Sequence, residues 1–191
     1  MRTMLDRFAS WLAGVLPVIV ISGLLGLPGT AAAQGVLKSN YGDWQLRCEK
    51  TPPPAAGQKE GEQCILLQSL VDDQSVIDGQ KVEINLVVVV LRATDPKAGN
   101  ARKPILRVIA PLGVLLPRGL GLKIDQEVIG STGFVRCLAN GCVAEVELDD
   151  ALIAKLKAGK EALFVIFLPP DDGRGLPLNL NGFEQGFSQL Q

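Results

Sequence analysis

Two cysteines five residues apart, Cys137 and Cys142, close on an Asn140-Gly141 pair within the segment Phe134–Leu148, FVRCLANGCVAEVEL. Asn-Gly favours positive φ at both positions, the backbone that a tight hairpin turn requires. The flanking residues alternate, with Phe134 and Arg136 on one face, and Val143, Glu145 and Glu147 opposed to Ala144, Val146 and Leu148. A period of two around a turn signal predicts two antiparallel strands, with a Cys137–Cys142 bridge at the neck. This segment therefore points to a β fold assembled where thiols oxidise, and carries no signature of a reaction.

The same pattern recurs upstream. Residues 42–48, GDWQLRC, alternate Trp44, Leu46 and Cys48 against Gln45 and Arg47, and Cys64 opens a second run, CILLQSL. Between them, residues 50–63 carry Pro52-Pro53-Pro54 and read as an exposed loop. Four cysteines permit three pairings. The two local ones, Cys48–Cys64 and Cys137–Cys142, are preferred because each joins the ends of a predicted hairpin. Loop closure would contribute roughly 3 kcal/mol for the first and roughly 2 kcal/mol for the shorter second.

Further strands are predicted over Lys81–Arg92, Pro104–Ala110, Leu120–Ile124, Ala162–Leu168 and Leu176–Leu180, with a polar loop at Thr94–Lys103. The run Val87–Leu91 lacks alternation, which predicts that both of its faces are covered. A helix is expected over Asp149–Lys157, capped by Asp149 or Asp150 and ended by Gly159 in the left-handed conformation. Phe183, Phe187 and Leu190 stand at helical spacing and predict a short C-terminal helical turn. Many short strands with one or two short helices give the expected class: mainly β, an antiparallel β-sandwich.

Residues 1–33 read as a signal peptide outside the fold. Arg2 and Arg7 precede an apolar run, Pro28-Gly29 breaks it, and Ala31-Ala32-Ala33 supplies the small residues of a cleavage site before Gln34. A retained membrane anchor is the competing reading, since the run approaches the ~20 residues that span a bilayer. With cleavage, residues 34–191 are expected to form one β-sandwich domain with two disulfides, periplasmic or secreted, with no membrane span.

Residue types narrow the function. The chain has no histidine, so neither a Ser-His-Asp nor a Cys-His mechanism can be assembled from it, and the commonest zinc ligand is missing. The cysteine spacing lacks the paired knuckles of a four-thiolate zinc site and the C-x-x-C of a redox catalyst. Gly119 and Gly121 lack the third glycine and the strand–helix context of a dinucleotide loop. No cofactor or metal is therefore expected. A net charge of −1 disfavours a nucleic-acid partner. Three acidic pairs, Asp72-Asp73, Asp149-Asp150 and Asp171-Asp172, are the material for glycan hydrolysis by two carboxylates; the simpler reading places each at a turn or helix start. Charge is segregated along the chain. Between Arg92 and Lys123 lie the bases Arg92, Lys97, Arg102, Lys103, Arg107, Arg118 and Lys123 with one acid, Asp95, and the next segment to Asp150 is acidic. Two readings follow: a basic face for an anionic envelope or host surface, or loop charges that fold back on one another.

The motifs Gly42-Asp43-Trp44, Cys48, Cys64 with Gln68, Ala110-Pro111-Leu112-Gly113-Val114-Leu115, Gly119, Ile124-Asp125, Cys137 with Gly141-Cys142, and Gly182-Phe183 occur in this order. Together they resemble the invasion-associated locus B family of exported bacterial proteins. The chain departs from that pattern at Asp125, followed by Gln126 where a turn glycine is expected. The resemblance implies a periplasmic or surface-exposed β-sandwich, linked by the family's name to invasion of host cells, and carries over no catalytic residue. The expected function is a non-enzymatic envelope or secreted binding or structural protein with an unidentified envelope or host-surface partner. A glycan hydrolase and a periplasmic chaperone or inhibitor that captures a strand are the alternatives.

Overall fold

The computed structural model describes residues 35–52, 61–77, 79–95 and 101–190. The expected signal segment 1–33, most of the Pro-rich loop and Lys97 lie outside the described residues. Ala33–Gln191 forms one compact unit.

The chain is built from strands β1 (Val36–Tyr41), β2 (Trp44–Thr51), β3 (Gly61–Asp72), β4 (Val76–Ile77), β5 (Gln80–Lys81), β6 (Ile84–Asp95), β7 (Ala101–Ala110), β8 (Leu120–Ile124), β9 (Glu127–Thr132), β10 (Phe134–Leu138) and β11 (Gly141–Glu147), then helix α1 (Asp150–Ala158), strands β12 (Glu161–Leu168) and β13 (Asp172–Asn179), and helix α2 (Phe183–Phe187). A seven-stranded antiparallel sheet runs β1-β2-β3-β6-β7-β11-β10, and a four-stranded one runs β13-β12-β8-β9. They pack into the expected sandwich. The alternating residues Trp44, Leu46 and Cys48 of β2, Leu86, Val88 and Val90 of β6, and Ala162, Phe164 and Ile166 of β12 are buried in one shared core. Period-two burial along each strand is what a sheet with one packed face requires.

Several expectations change. The strand read as Lys81–Arg92 starts at Ile84 and ends at Asp95, and the one read from Pro104 starts at Ala101, because the β6–β7 pairing continues to Asp95↔Ala101. The polar loop between them is correspondingly shorter. The last strand begins at Asp172 rather than Leu176, paired along all of β12. The β10–β11 turn falls on Ala139 and Asn140, with Leu138 opposite Gly141. Only Gly141 takes positive φ, and a Cβ there would strike the Ala110 carbonyl. A register shift between Phe134 and Arg136 also moves them to opposite faces: Phe134 opposes Ala144, and Arg136 opposes Val143.

Asp149 caps α1, its Oδ1 accepting from the Leu152 N–H at 2.7 Å. Gly159 ends the helix in extended backbone (φ −71°, ψ 160°), not the left-handed form expected. Its smallness answers to space, since a Cβ would lie 2.8 Å from Ile124 Cγ2 and 2.9 Å from Leu180 Cδ1. At Asp125 the chain does turn left-handed (φ 50°) without the glycine. The Asp125 carboxylate accepts from the backbone N–H groups of Lys160 and Glu161, which holds the turn against β12. Phe183, Phe187 and Leu190 are buried as the spacing implied, and α2 closes one end of the core beside Trp44.

Candidate functional site

Two disulfides fasten neighbouring strands of the large sheet. Cys48 is bonded to Cys64 across the β2–β3 pairing, and Cys137 to Cys142 across β10–β11. Among the described residues, the one cluster suited to a metal ion is Cys48, Glu62 and Cys64. Its two sulfurs are joined to each other, so they are not available as thiolates.

The acidic pairs are engaged by their own surroundings. Asp149 caps α1. Asp171 pairs with Arg118 at 3.1 Å, and Asp172 pairs with Arg174. The Asp72 carboxylate accepts from Ser75 Oγ at 2.5 Å and from the Gln74 N–H at 2.9 Å. These hydrogen bonds, the Ser75 one foremost and aided by the positive Arg174, hold its carboxyl below the usual carboxylate range. Arg174 thus brings Asp72 and Asp172 toward one guanidinium, a proximity the sequence reading did not expect. A general acid needs a raised value, so Asp72 is shifted in the wrong direction for protonating a glycosidic oxygen.

Because the folded value is depressed, Asp72 adds stability above its unfolded value near 3.8, and loses it as pH falls through the folded value. Ser75→Ala is expected to return the Asp72 titration toward 3.8 and to shift acid unfolding to higher pH. Carboxyl-carbon NMR titration checks the first effect and circular dichroism between about pH 5 and 2 the second. An unchanged Asp72 titration would show that Ser75 is not what holds it.

Among the described residues, several of the bases between Arg92 and Lys123 are engaged at different parts of the fold. Arg92 turns to the C-terminal end, its Nε–H donating to the Leu190 carbonyl at 3.1 Å and its guanidinium 5.3 Å from the Phe187 ring centre. Arg118 stacks over Phe167 at 4.3 Å. Arg107 bonds Glu145 at 2.7 Å and Lys103 bonds Glu147 at 2.8 Å. Those acids belong to the segment that is acidic along the chain, and β7 pairs with β11, so segregated charges are interleaved in space. Arg102 lies on β7 and Lys123 on β8.

Beside Arg107, whose register partner is Val89, the sheet turns apolar. On the large sheet's outer face, Ile65 and Leu67 of β3, Val87 and Val89 of β6, and Ile109 of β7 line an open depression. Val89 is 8% exposed and the others are half-buried. The expectation that Val87–Leu91 is covered on both faces holds in part: Val89 is buried on the outer side as well, while Val87 and Leu91 are half-buried. The small sheet covers the inner valines, and the outer ones form the floor of this depression. Gln45, Arg47, Glu49, Gln63 and Ser69 line its polar parts. The signal for this face was present in the two non-alternating runs at Ile65–Leu67 and Val87–Leu91, of which only the second carried an expectation about burial. A second, polar hollow lies beside the β1–β2 turn, where Asn40, Asp43 and Gln45 flank Gln68. Gln68 is 7% exposed, and its Oε1 has no hydrogen-bond partner among the described residues.

Residues 44–191 match the family model described as Invasion associated locus B (IalB) protein. This chain belongs to the IalB family. The match covers both disulfides, both sheets from β2 onward, and the outer face. The IalB chain is 29% identical over 166 residues to an Invasion protein B homolog of Brucella abortus (strain 2308), covering 86% of this chain and 83% of that protein. It is 25% identical over 199 residues to Invasion protein B of Bartonella bacilliformis, covering 92% and 96%. Its fold is similar to the crystal structure of invasion associated protein b from Bartonella henselae, with a TM-score of 0.57 at 23% identity over 81% of this chain and 95% of that one. Among the described residues of this IalB-family chain, no helix is long and apolar enough to cross a membrane.

Proposed function

We propose that this IalB-family chain is an exported, non-enzymatic binding protein of the cell envelope or cell surface, acting in the contact between bacterium and host. The export reading rests on the charged, apolar and small-residue order of positions 1–33 and on two disulfides, which persist in oxidising compartments. The invasion role is taken from the names of its relatives. The non-enzymatic reading rests on the missing histidine and on acidic pairs already committed to a cap, to arginines and to turn donors.

The observation that carries the binding reading is the apolar outer face of β3, β6 and β7. Contiguous apolar surface rimmed by polar groups marks an interaction site. The occupant it fits is another protein, apolar at the centre of its contact and carrying charges of both signs at its margin. Arg107–Glu145 and Lys103–Glu147 make the nearby charge mixed, whereas an anionic glycan or headgroup calls for unpaired bases.

The test is cross-linking capture from envelope and host-surface extracts with the native protein and with Leu67→Glu and Val87→Lys variants. A protein captured by the native chain and lost by about tenfold or more with either variant, at unchanged thermal midpoint, supports the reading; one buried charge opposite an apolar contact suffices for that loss. Capture that both variants retain, delay on an anionic glycan column that they also retain, or hydrolysis of envelope glycans by the purified protein would overturn it.

A further inference from the structure

We propose a second binding site that the surface reading does not use: a slot between the two sheets that takes one straight hydrocarbon chain. The slot has a cavity volume of about 180 Å³. Its origin lies in one small residue. Ala144 of β11 sits opposite Val108, buried at a position where a larger aliphatic side chain would fill the core. The exposed Gly130 of β9 lies at the rim of the slot.

The walls decide the chemistry. Leu106 and Val108 of β7, Ala144 and Val146 of β11, and Leu120 and Leu122 of β8 line it in i, i+2 pairs. Phe164 of β12 and Leu152 of α1 complete the apolar lining, and no charged side chain contributes. An enclosed apolar cavity of about 150 Å³ holds benzene, and this slot, open at one side, offers a similar volume. The shape favours a chain over a ring. Each i, i+2 pair extends the slot by roughly 7 Å along the strands, while sheets packed about 10 Å apart leave one side chain's thickness between them. Leu122, Ile129 and Leu152 line the slot and are only partly buried against the core, which marks where it opens. The polar lining residues, Ser131 and Thr132, stand on β9, the edge strand of the small sheet, where an amphiphile's head would emerge to water. Lys155 of α1 and Glu127 of β9, 2.5 Å apart, tie the helix to the strand on this side.

The ligand is thus the end of an unbranched alkyl chain, from a free fatty acid or from a membrane lipid. The experiment titrates the protein, isolated from the cells that make it, with straight-chain carboxylates from butanoate to dodecanoate, followed by calorimetry and methyl NMR. Affinity is expected to rise about fourfold per added methylene, the equivalent of ~0.8 kcal/mol, and then to level off when the slot is full. Shifts should centre on Leu122, Ile129 and Leu152. Ala144→Leu, which fills the slot, is expected to weaken binding at least tenfold. Should that variant fail to fold, Val146→Ala, which lengthens the cavity, is expected to move the levelling-off to longer chains. Binding to phosphatidylethanolamine–phosphatidylglycerol vesicles that Ala144→Leu abolishes assigns the chain to a lipid; binding of free carboxylates alone assigns it to a fatty acid. Affinity independent of chain length, indifference to both variants, or shifts confined to Leu67 and Val89 would overturn the proposal.

Discussion

Trp44→Ala is expected to lower the unfolding free energy by about 4 kcal/mol, the upper range for deleting a buried aromatic. That is a large part of the 5–15 kcal/mol that holds a typical domain together. Trp44 is fully buried, and it serves three elements at once. It belongs to β2 of the large sheet. Its indole N–H donates to the Asn179 carbonyl at the end of β13 in the small sheet, at 2.9 Å. Its ring meets Phe183 of α2 edge-on, with centroids 5.2 Å apart and planes at 61°. Alanine would open a cavity, strand a carbonyl and remove the aromatic contact together. Trp44→Phe keeps a ring against Phe183 and loses the hydrogen bond, so it should cost only about 1–2 kcal/mol. Urea unfolding measures both. A loss below about 1 kcal/mol for Trp44→Ala would mean that the two sheets are held together elsewhere.

The second large effect belongs to the Cys48–Cys64 disulfide. Replacing both cysteines with alanine is expected to cost about 3 kcal/mol through the freedom regained by the unfolded chain, for a loop closed across 16 residues. Cys48 and Cys64 are 4% and 7% exposed, so the double variant also loses packing in the core. At ~2–4 °C per kcal/mol for a chain of this size, the thermal midpoint should fall by about 10 °C. The Cys137–Cys142 loop spans five residues and Cys137 is exposed, so the matching double variant should cost about 2 kcal/mol or less. Graded reductant with thiol alkylation and mass analysis should label Cys137 before Cys48, since attack needs access. A larger loss from the Cys137/Cys142 variant than from the Cys48/Cys64 variant would reverse the assignment.

Much of the fold was legible because its signals are local. The alternation of Trp44, Leu46 and Cys48, the Asp149 cap and the spacing of Phe183, Phe187 and Leu190 each act within a few residues. Besides the two-residue strands β4 and β5, two strands of the main sheets escaped notice. Val36 and Leu37 of β1 are both exposed, and Gly130 interrupts the pattern of β9. Both are edge strands with one neighbour, so pairing rather than burial maintains them, and pairing leaves little trace in a hydropathy pattern. The candidate site was less legible for a related reason. The outer valines of β6 and the inner ones look alike in the sequence, and only the position of the small sheet separates them.

The order of residues in this chain determines its turns, the alternating faces of its central strands, its helix caps and its family. Those depend on backbone conformation and on side chains within one or two turns of each other. The tertiary structure alone decides that the bases of β7 meet the acids of β11 and that Asp72 and Asp172 approach one arginine. It also decides that Ala144 leaves space on the inside of the sandwich, and that the outward side chains of β3, β6 and β7 form one apolar surface. Each of these joins residues tens of positions apart. What they do together follows from the register and stacking of two sheets, which hydrophobic burial selects for the whole domain at once.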